Sequence, residues 1–296
     1  MNQRAQIRML PDARRLHMQD GPIDVIVEGF GEAREIERAY RAAADRFVSI
    51  LDELCGELAF LRRAPGVDLP SGAVARRMVA AVLPYSSQTF ITPMAAVAGA
   101  VADEILEAIT AAAQLSRAYV NDGGDIALHL APGEKFVVGM VERPDRASLF
   151  GTTVIHSSDP IRGIATSGWR GRSFSLGIAD AVTVLADTAA MADAAATIIA
   201  NAVDLPGHPR IMRIPVRDLA PDSDLGGRLI TQSVGELAAD EICEALEAGV
   251  RVAQPLRDSG LIRAAALSLQ GETRVVGGRD VSRLVDISVD RGFVYA

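Results

Sequence analysis

Apolar residues recur every three or four positions at Ile36, Tyr40, Ala43, Phe47, Ile50, Leu54, Leu58 and Leu61, the spacing that lays one stripe along a helix. Arg, Glu and Asp fill the other faces, so the stripe belongs to the core or to a homodimer interface. Before it, Ile23–Glu28 alternates and is rich in β-branched residues, predicting a strand that runs through Gly29-Phe30-Gly31 into the helix. Strand, glycines and helix is also the order of a dinucleotide fingerprint. Arg34, however, stands where the third glycine belongs, and no partner acid follows on a second strand, which discards that motif. Met78–Ala102 carries no charge over a length able to cross a bilayer, but Pro84, the polar run Tyr85-Ser86-Ser87-Gln88-Thr89 and Pro93 break it. The pattern predicts two buried elements joined by a polar turn, and no membrane partner. Ala179–Ala186 alternates as a strand and Thr188–Val203 is an alanine-rich helix. Pro206-Gly207-His208-Pro209 then turns the chain into a strand over Ile211–Val216.

From Thr92 onward the pattern returns on itself. Ala102-Asp103-Glu104-Ile105-Leu106-Glu107-Ala108 reappears as Ala239-Asp240-Glu241-Ile242-Cys243-Glu244-Ala245, and Ala127-Leu128-His129-Leu130 as Ala266-Leu267-Ser268-Leu269. Gly133-Glu134 and Val137-Val138-Gly139 return as Gly271-Glu272 and Val275-Val276-Gly277. Three matches in one order, each displaced by about 138 residues, predict two copies of a helix followed by a β-hairpin, at about 92–139 and 229–277. The expected architecture is α+β: an internally duplicated helix-plus-antiparallel-sheet arrangement forming a single domain over 1–296. Only the first copy carries the turn Asn121-Asp122-Gly123-Gly124-Asp125, where the second reads Gly260-Leu261-Ile262-Arg263-Ala264. That asymmetry fits close approach to a ligand; a plain Asp-Gly hairpin turn is the structural alternative.

With 296 residues, 49% of them hydrophobic, the chain can bury a large core. A net charge of −8 with scattered basic residues excludes a nucleic-acid surface. The N-terminal stretch MNQRAQIRMLPDARRL has no apolar segment after its charges, which predicts a cytoplasmic protein. Cys55 and Cys243 are isolated on helical patterns and read as reduced, buried thiols, and no Cys/His cluster offers a zinc site. His17, His129 and His208 lack partners at ligand spacing and read as structural. His156-Ser157-Ser158-Asp159 reads as a loop rather than a triad.

Chemistry concentrates between Gly163 and Asn201. Asp193 and Thr197 lie four apart in the alanine-rich helix, so a carboxylate and a hydroxyl share one face, a pair suited to a hard cation. The structural alternative has Asp193 near the positive helix end and Thr197 bonded back to the main chain.

Four pieces of sequence resemble the ApbE family of magnesium-dependent flavin transferases, and more closely its cytoplasmic ApbE-like branch. They are the Ala-x-Ala-Gly-Ala-x-Ala-Asp run ending at Asp103, the turn Asn121-Asp122-Gly123-Gly124-Asp125-Ile126, Ile164-Ala165-Thr166-Ser167-Gly168, and Ala192-Asp193-Ala194-Ala195-Ala196-Thr197. The resemblance implies a T-fold arrangement, with Mg²⁺ held by Asp193, Thr197 and a backbone carbonyl near Val97 or Ala98. It places FAD against Gly99, Asn121, Asp122, Gly123, Gly124, Asp125, Thr166, Ser167 and Gly168. The implied reaction is attack by a Thr or Ser hydroxyl of an acceptor protein on the FMN phosphorus, releasing AMP; a flavin-binding protein serving a partner enzyme is the other class. Two departures stand out. Ala98 occupies the place of a family lysine beside the glycine, and Ser175-Leu176-Gly177-Ile178-Ala179-Asp180 replaces a His-Ile-Ile-Asp-Pro strand. Arg170 and Arg172 offer replacement cations, or are solvated surface charges.

Overall fold

Alternation along β2 (Leu16–Asp20) and β3 (Ile23–Phe30) buries Leu16, Met18, Ile23, Val25 and Val27 on one side. The stripe of α1 (Ala33–Gly56) packs against that side through Ala39, Ala43, Phe47, Ile50 and Leu54, which makes the stripe core. Each large side chain buried this way contributes about 1.5–3 kcal/mol relative to exposure. The computed structural model describes residues 4–141, 149–277 and 293–295; Met1–Gln3 of the N-terminal stretch lie outside them.

The remaining helices are α2 (Leu58–Leu61), α3 (Ala73–Val82), α4 (Val97–Ala112), α5 (Ala189–Ala202) and α6 (Ala239–Asp258). The other strands are β1 (Gln6–Met9), β4 (Arg117–Asp122), β5 (Asp125–Leu130), β6 (Lys135–Val141), β7 (Leu149–His156), β8 (Gly163–Ser167), β9 (Ala181–Ala186), β10 (Ile211–Pro215), β11 (Leu229–Val234), β12 (Ala264–Leu269), β13 (Glu272–Val276) and β14 (Phe293–Tyr295). Nine of them form one sheet in the order β1-β2-β3-β4-β5-β8-β9-β12-β13, every neighbour antiparallel. The fold class is α+β. One face of the sheet carries the helices and the main core. On the other, Tyr119, Ile126, Leu128, Ile164 and Leu185 meet Phe136, Val138 and Ile155 of the β6–β7 hairpin.

The uncharged stretch from Met78 becomes α3 and α4 joined by two short 3₁₀ turns, Leu83–Tyr85 and Pro93–Ala96, because its prolines and polar run cannot continue a helix. Among the described residues no helix is long and apolar enough to cross a membrane. Both cysteines are free, but Cys55 is exposed and Cys243 half-buried: Cys55 follows buried Leu54 and therefore points off the stripe.

Helix followed by hairpin occurs twice, as α4-β4-β5 and as α6-β12-β13. The matched residues do not share a register, however. Ala127–Leu130 lies on β5, which pairs with β4 and β8, and Val137–Gly139 lies on β6 in the small sheet, whereas their counterparts lie on β12 and β13, which pair with each other. Short apolar strands resemble one another whichever neighbour they pair with. The turn facing Asn121–Asp125 in topology is therefore Gln270-Gly271 rather than 260–264.

Candidate functional site

The β4–β5 connection has only Gly123 and Gly124 between paired Asp122 and Asp125. Their φ angles are +65° and +116°, conformations that side-chain-bearing residues rarely adopt. Asn121 Oδ1 accepts the Gly124 N–H at 2.8 Å and ties the turn. Asp122 continues the helix-facing series Ala118, Val120, and Asp125 the series containing Ala127. Alternation thus sends two carboxylates beneath the helices, where the neighbouring positions are apolar.

α5 supplies the third carboxylate. Thr188 caps it, accepting the Met191 N–H at 3.2 Å. Asp103 of α4 accepts the N–H groups of Ala189 at 3.0 Å and Ala190 at 2.9 Å. Asp193 of α5 in turn accepts the Gly99 N–H at 3.1 Å and an N–H from Ala98. Each helix therefore places an aspartate on the free donors at the other's N-terminus. The positive end met by Asp193 is that of α4, not of its own helix. Gly99 permits the approach: a Cβ there would stand 2.3 Å from the Ala189 carbonyl oxygen. Gly99→Ala is expected to cost about 1–3 kcal/mol through overpacking, read by chemical denaturation. Val97 opens α4, and a first-turn carbonyl points up the helix axis; the groups that this turn offers to Asp193 are the N–H groups of Ala98 and Gly99.

Asp125 and Asp193 are half-buried and hydrogen-bonded to each other. Burial first, and then the charge of Asp122 against the hydrogen bonds from Gly99 and Ala98, leaves Asp193 pushed up to about 7. Burial followed by the charges of Asp193 and Asp122 raises Asp125 well above the usual carboxylate range. Burial likewise pushes Asp122 up to about 7, with Arg172 drawing it down and Asp24 raising it. Carboxylates sharing a site cannot all ionise unless a cation joins them. Thr197, one turn beyond Asp193 and half-buried, has no side-chain hydrogen bond among the described residues.

The Thr166-Ser167-Gly168 segment ends β8 beside this cluster. The Thr166 N–H lies 3.3 Å from Asp125 Oδ1, while its hydroxyl bonds Thr183 Oγ1 at 2.9 Å. Ser167 has the same strand parity as Ala165, which packs in the helix-side core. Gly168 fits against the next segment: a Cβ would stand 2.5 Å from the Asp180 carbonyl oxygen. Elsewhere, His17 bonds Asp24, His129 the Leu115 carbonyl and His208 Glu241. His156-Ser157-Ser158-Asp159 closes a turn in which Asp159 accepts the His156 N–H at 2.7 Å. The cluster thus unites Asp122, Asp125, Asp193, Gly99 and Thr166. Asp103, which stands outside the cluster and holds the start of α5, ends a quoted motif that gave it no role.

The model of an ApbE-like family described as AbpE bacteria matches residues 7–275. The chain belongs to this family. Curated relatives include UPF0280 proteins from Methanopyrus kandleri, 33% identical over 177 residues (59% of this chain, 66% of that one), and from Methanococcoides burtonii, 38% identical over 136 residues (46% and 54%). The chain therefore matches from just over half to just under two thirds of these relatives' own length. Among solved structures, the apo form of the Pseudomonas stutzeri flavinyl transferase ApbE aligns over 92% of this chain and 93% of its own, at 11% identity and a TM-score of 0.43. The Vibrio cholerae flavin transferase ApbE aligns over 92% and 97%, at 14% identity and a TM-score of 0.38.

The donor set suits a small hard cation. Among the described residues, no group of three His, Cys, Asp or Glu side chains is gathered to hold a metal. What the site offers is a pair of carboxylates, Asp125 on β5 and Asp193 on α5, with the Thr197 alcohol one turn beyond Asp193. Mg²⁺ characteristically takes one or two protein carboxylates and fills its remaining positions with water and phosphate oxygens. Oxygen donors alone, with no thiolate or imidazole, disfavour zinc.

Proposed function

We propose that this chain is a Mg²⁺-dependent FAD:protein FMN transferase of the ApbE-like kind. The hydroxyl of a Thr or Ser on an acceptor protein bonds the FMN phosphorus as the phosphoanhydride bond breaks and AMP leaves. The observation carrying this reading is the carboxylate pair: Asp125 and Asp193 bond one another at the N-terminus of α4, both with raised affinity for a proton and thus short of positive charge. Magnesium, when bound, would neutralise charge on the phosphates and the leaving group. Asp193, Asp125 and Thr197 would hold it. Gly123 and Gly124 leave the turn free of side chains where the nucleotide approaches, and Thr166, Ser167 and Gly168 line the adjacent strand end. We further read α4-β4-β5 and α6-β12-β13 as copies of one ancestral unit within a single domain.

A second reading, a flavin-binding protein that serves a partner enzyme without turnover, is favoured by two observations. Ala98 leaves the α4 turn without a cation, and Asp180, the acid in the segment that departs from His-Ile-Ile-Asp-Pro, is fully engaged with Trp169, Arg170 and the Gln270 N–H. The measurement that decides is AMP release from FAD with Mg²⁺ and an acceptor-domain protein. The transferase reading expects release that Asp193→Ala stops. FAD binding and thermal stabilisation without AMP would leave the binding protein, and neither would refute both.

A further inference from the structure

Two arginines follow the Thr-Ser-Gly turn, and the fold treats them differently. Arg170 is committed: its Nε bonds Asp180 Oδ1 at 2.5 Å, and its guanidinium lies 4.4 Å from the Trp169 ring centroid. Asp180 is buried and needs that charge. Arg172 is exposed and makes no hydrogen bond or ion pair among the described residues. Its Nη1 nevertheless stands 3.4 Å from where a Cβ on Gly123 would be, at the tip of the turn that carries Asp122 and Asp125. A bare glycine at this point leaves the guanidinium room beside the turn.

The geometry points to Arg172 as the residue that selects ligands bearing phosphate-type oxygens at the mouth of the aspartate cluster. A floor of carboxylates repels an anion, so a phosphate entering here needs a cation beside it as well as one beneath it. A guanidinium presents a planar fork of donors that matches two phosphate oxygens. Arg172 acts on Asp122 through its charge alone, with no hydrogen bond to break, so it can turn to a ligand at less cost than Arg170, whose hydrogen bond to Asp180 would be lost. The choice of a flavin dinucleotide as that ligand rests on the function proposed above; the selection of anions does not.

Titration calorimetry of wild type, Arg172→Gln, Arg172→Lys and Arg170→Gln with FAD and with inorganic pyrophosphate, each with Mg²⁺, tests the assignment. Arg172→Gln should weaken both ligands by roughly 10- to 100-fold, the loss of one charge-assisted contact, with an unchanged melting temperature. Arg172→Lys should recover part of that loss. Arg170→Gln should instead lower the melting temperature. Wild-type affinity in Arg172→Gln overturns the role of Arg172 and leaves the flavin reading standing. Pyrophosphate binding that depends on Arg172, with no binding of FAD, keeps the role and removes the flavin. A wild-type protein that binds neither ligand overturns both.

Discussion

Asp193→Asn is expected to raise the melting temperature of the metal-free protein at pH 8 by roughly 2–3 °C, from about 1–2 kcal/mol at this chain length, and to abolish any further rise on adding Mg²⁺. Asparagine keeps an oxygen for the Gly99 N–H and gains an amide that can donate to Asp125, so it imitates the neutral acid. The sign follows from the proton affinities. Asp193 and Asp122 are each pushed up to about 7 from an ordinary 3.8, burial being the main cause. Below pH 4 both folded and unfolded chains hold these protons, and the cluster carries no penalty. As pH rises toward 7 the unfolded chain releases protons that the folded chain retains, so stability falls through that window by linkage. The carboxylates that are held low, such as Glu53 beside Arg46 and Glu241 beside the Ala238 N–H and His208, work in the opposite sense, adding stability as pH rises through the acid range, while Asp103, raised by burial, works in the same sense as the cluster. Scanning fluorimetry from pH 5 to pH 8, with and without Mg²⁺, should show wild type melting lower at high pH and recovering with metal, and Asp193→Asn flatter and indifferent. Equal Mg²⁺ responses in the two proteins would remove Asp193 from the metal site.

Periodicity carried much of this fold. The stripe from Ala43 to Leu54 is core because a helix and a sheet face must each cover an apolar side. Two polar residues, Asp187 and Thr188, precede the alanine-rich run and either suits a cap by sequence; the structure gives the role to Thr188. The motif residues Asp122, Asp125, Thr166 and Asp193, far apart in the chain, share one cluster. Pairing was not legible: β6 and β13 look alike as sequence, yet one sits in the small hairpin sheet and the other edges the main sheet. Nor could spacing separate Arg170 from Arg172, since Asp180 reaches the first only after the chain has turned back from Gly168. Asp103 was hidden for a related reason. Its partners, the N–H groups of Ala189 and Ala190, come from a helix 86 and 87 residues away.

That long-range contact sets the other large effect. Asp103→Ala is expected to destabilise the protein by about 2–5 kcal/mol, because it leaves two N-terminal donors of α5 unpaired in the interior, each worth about 1–3 kcal/mol. Asp103→Asn should lose less, since one amide oxygen can still accept from one of the two. Asp103 touches none of the proposed ligand groups, yet it fixes the end of the helix that carries Asp193, and Asp193 fixes the end of the helix that carries Asp103. Losing either aspartate lets the two N-termini drift apart, and the second loss then finds part of its damage already done. A double-mutant cycle on Asp103→Ala and Asp193→Ala, read by denaturant unfolding, should therefore fall short of additivity by roughly 0.5–3 kcal/mol. Strict additivity would mean that each carboxylate acts only on the turn it caps, and the mutual clamp between α4 and α5 would then have no part in holding Asp193 against Asp125.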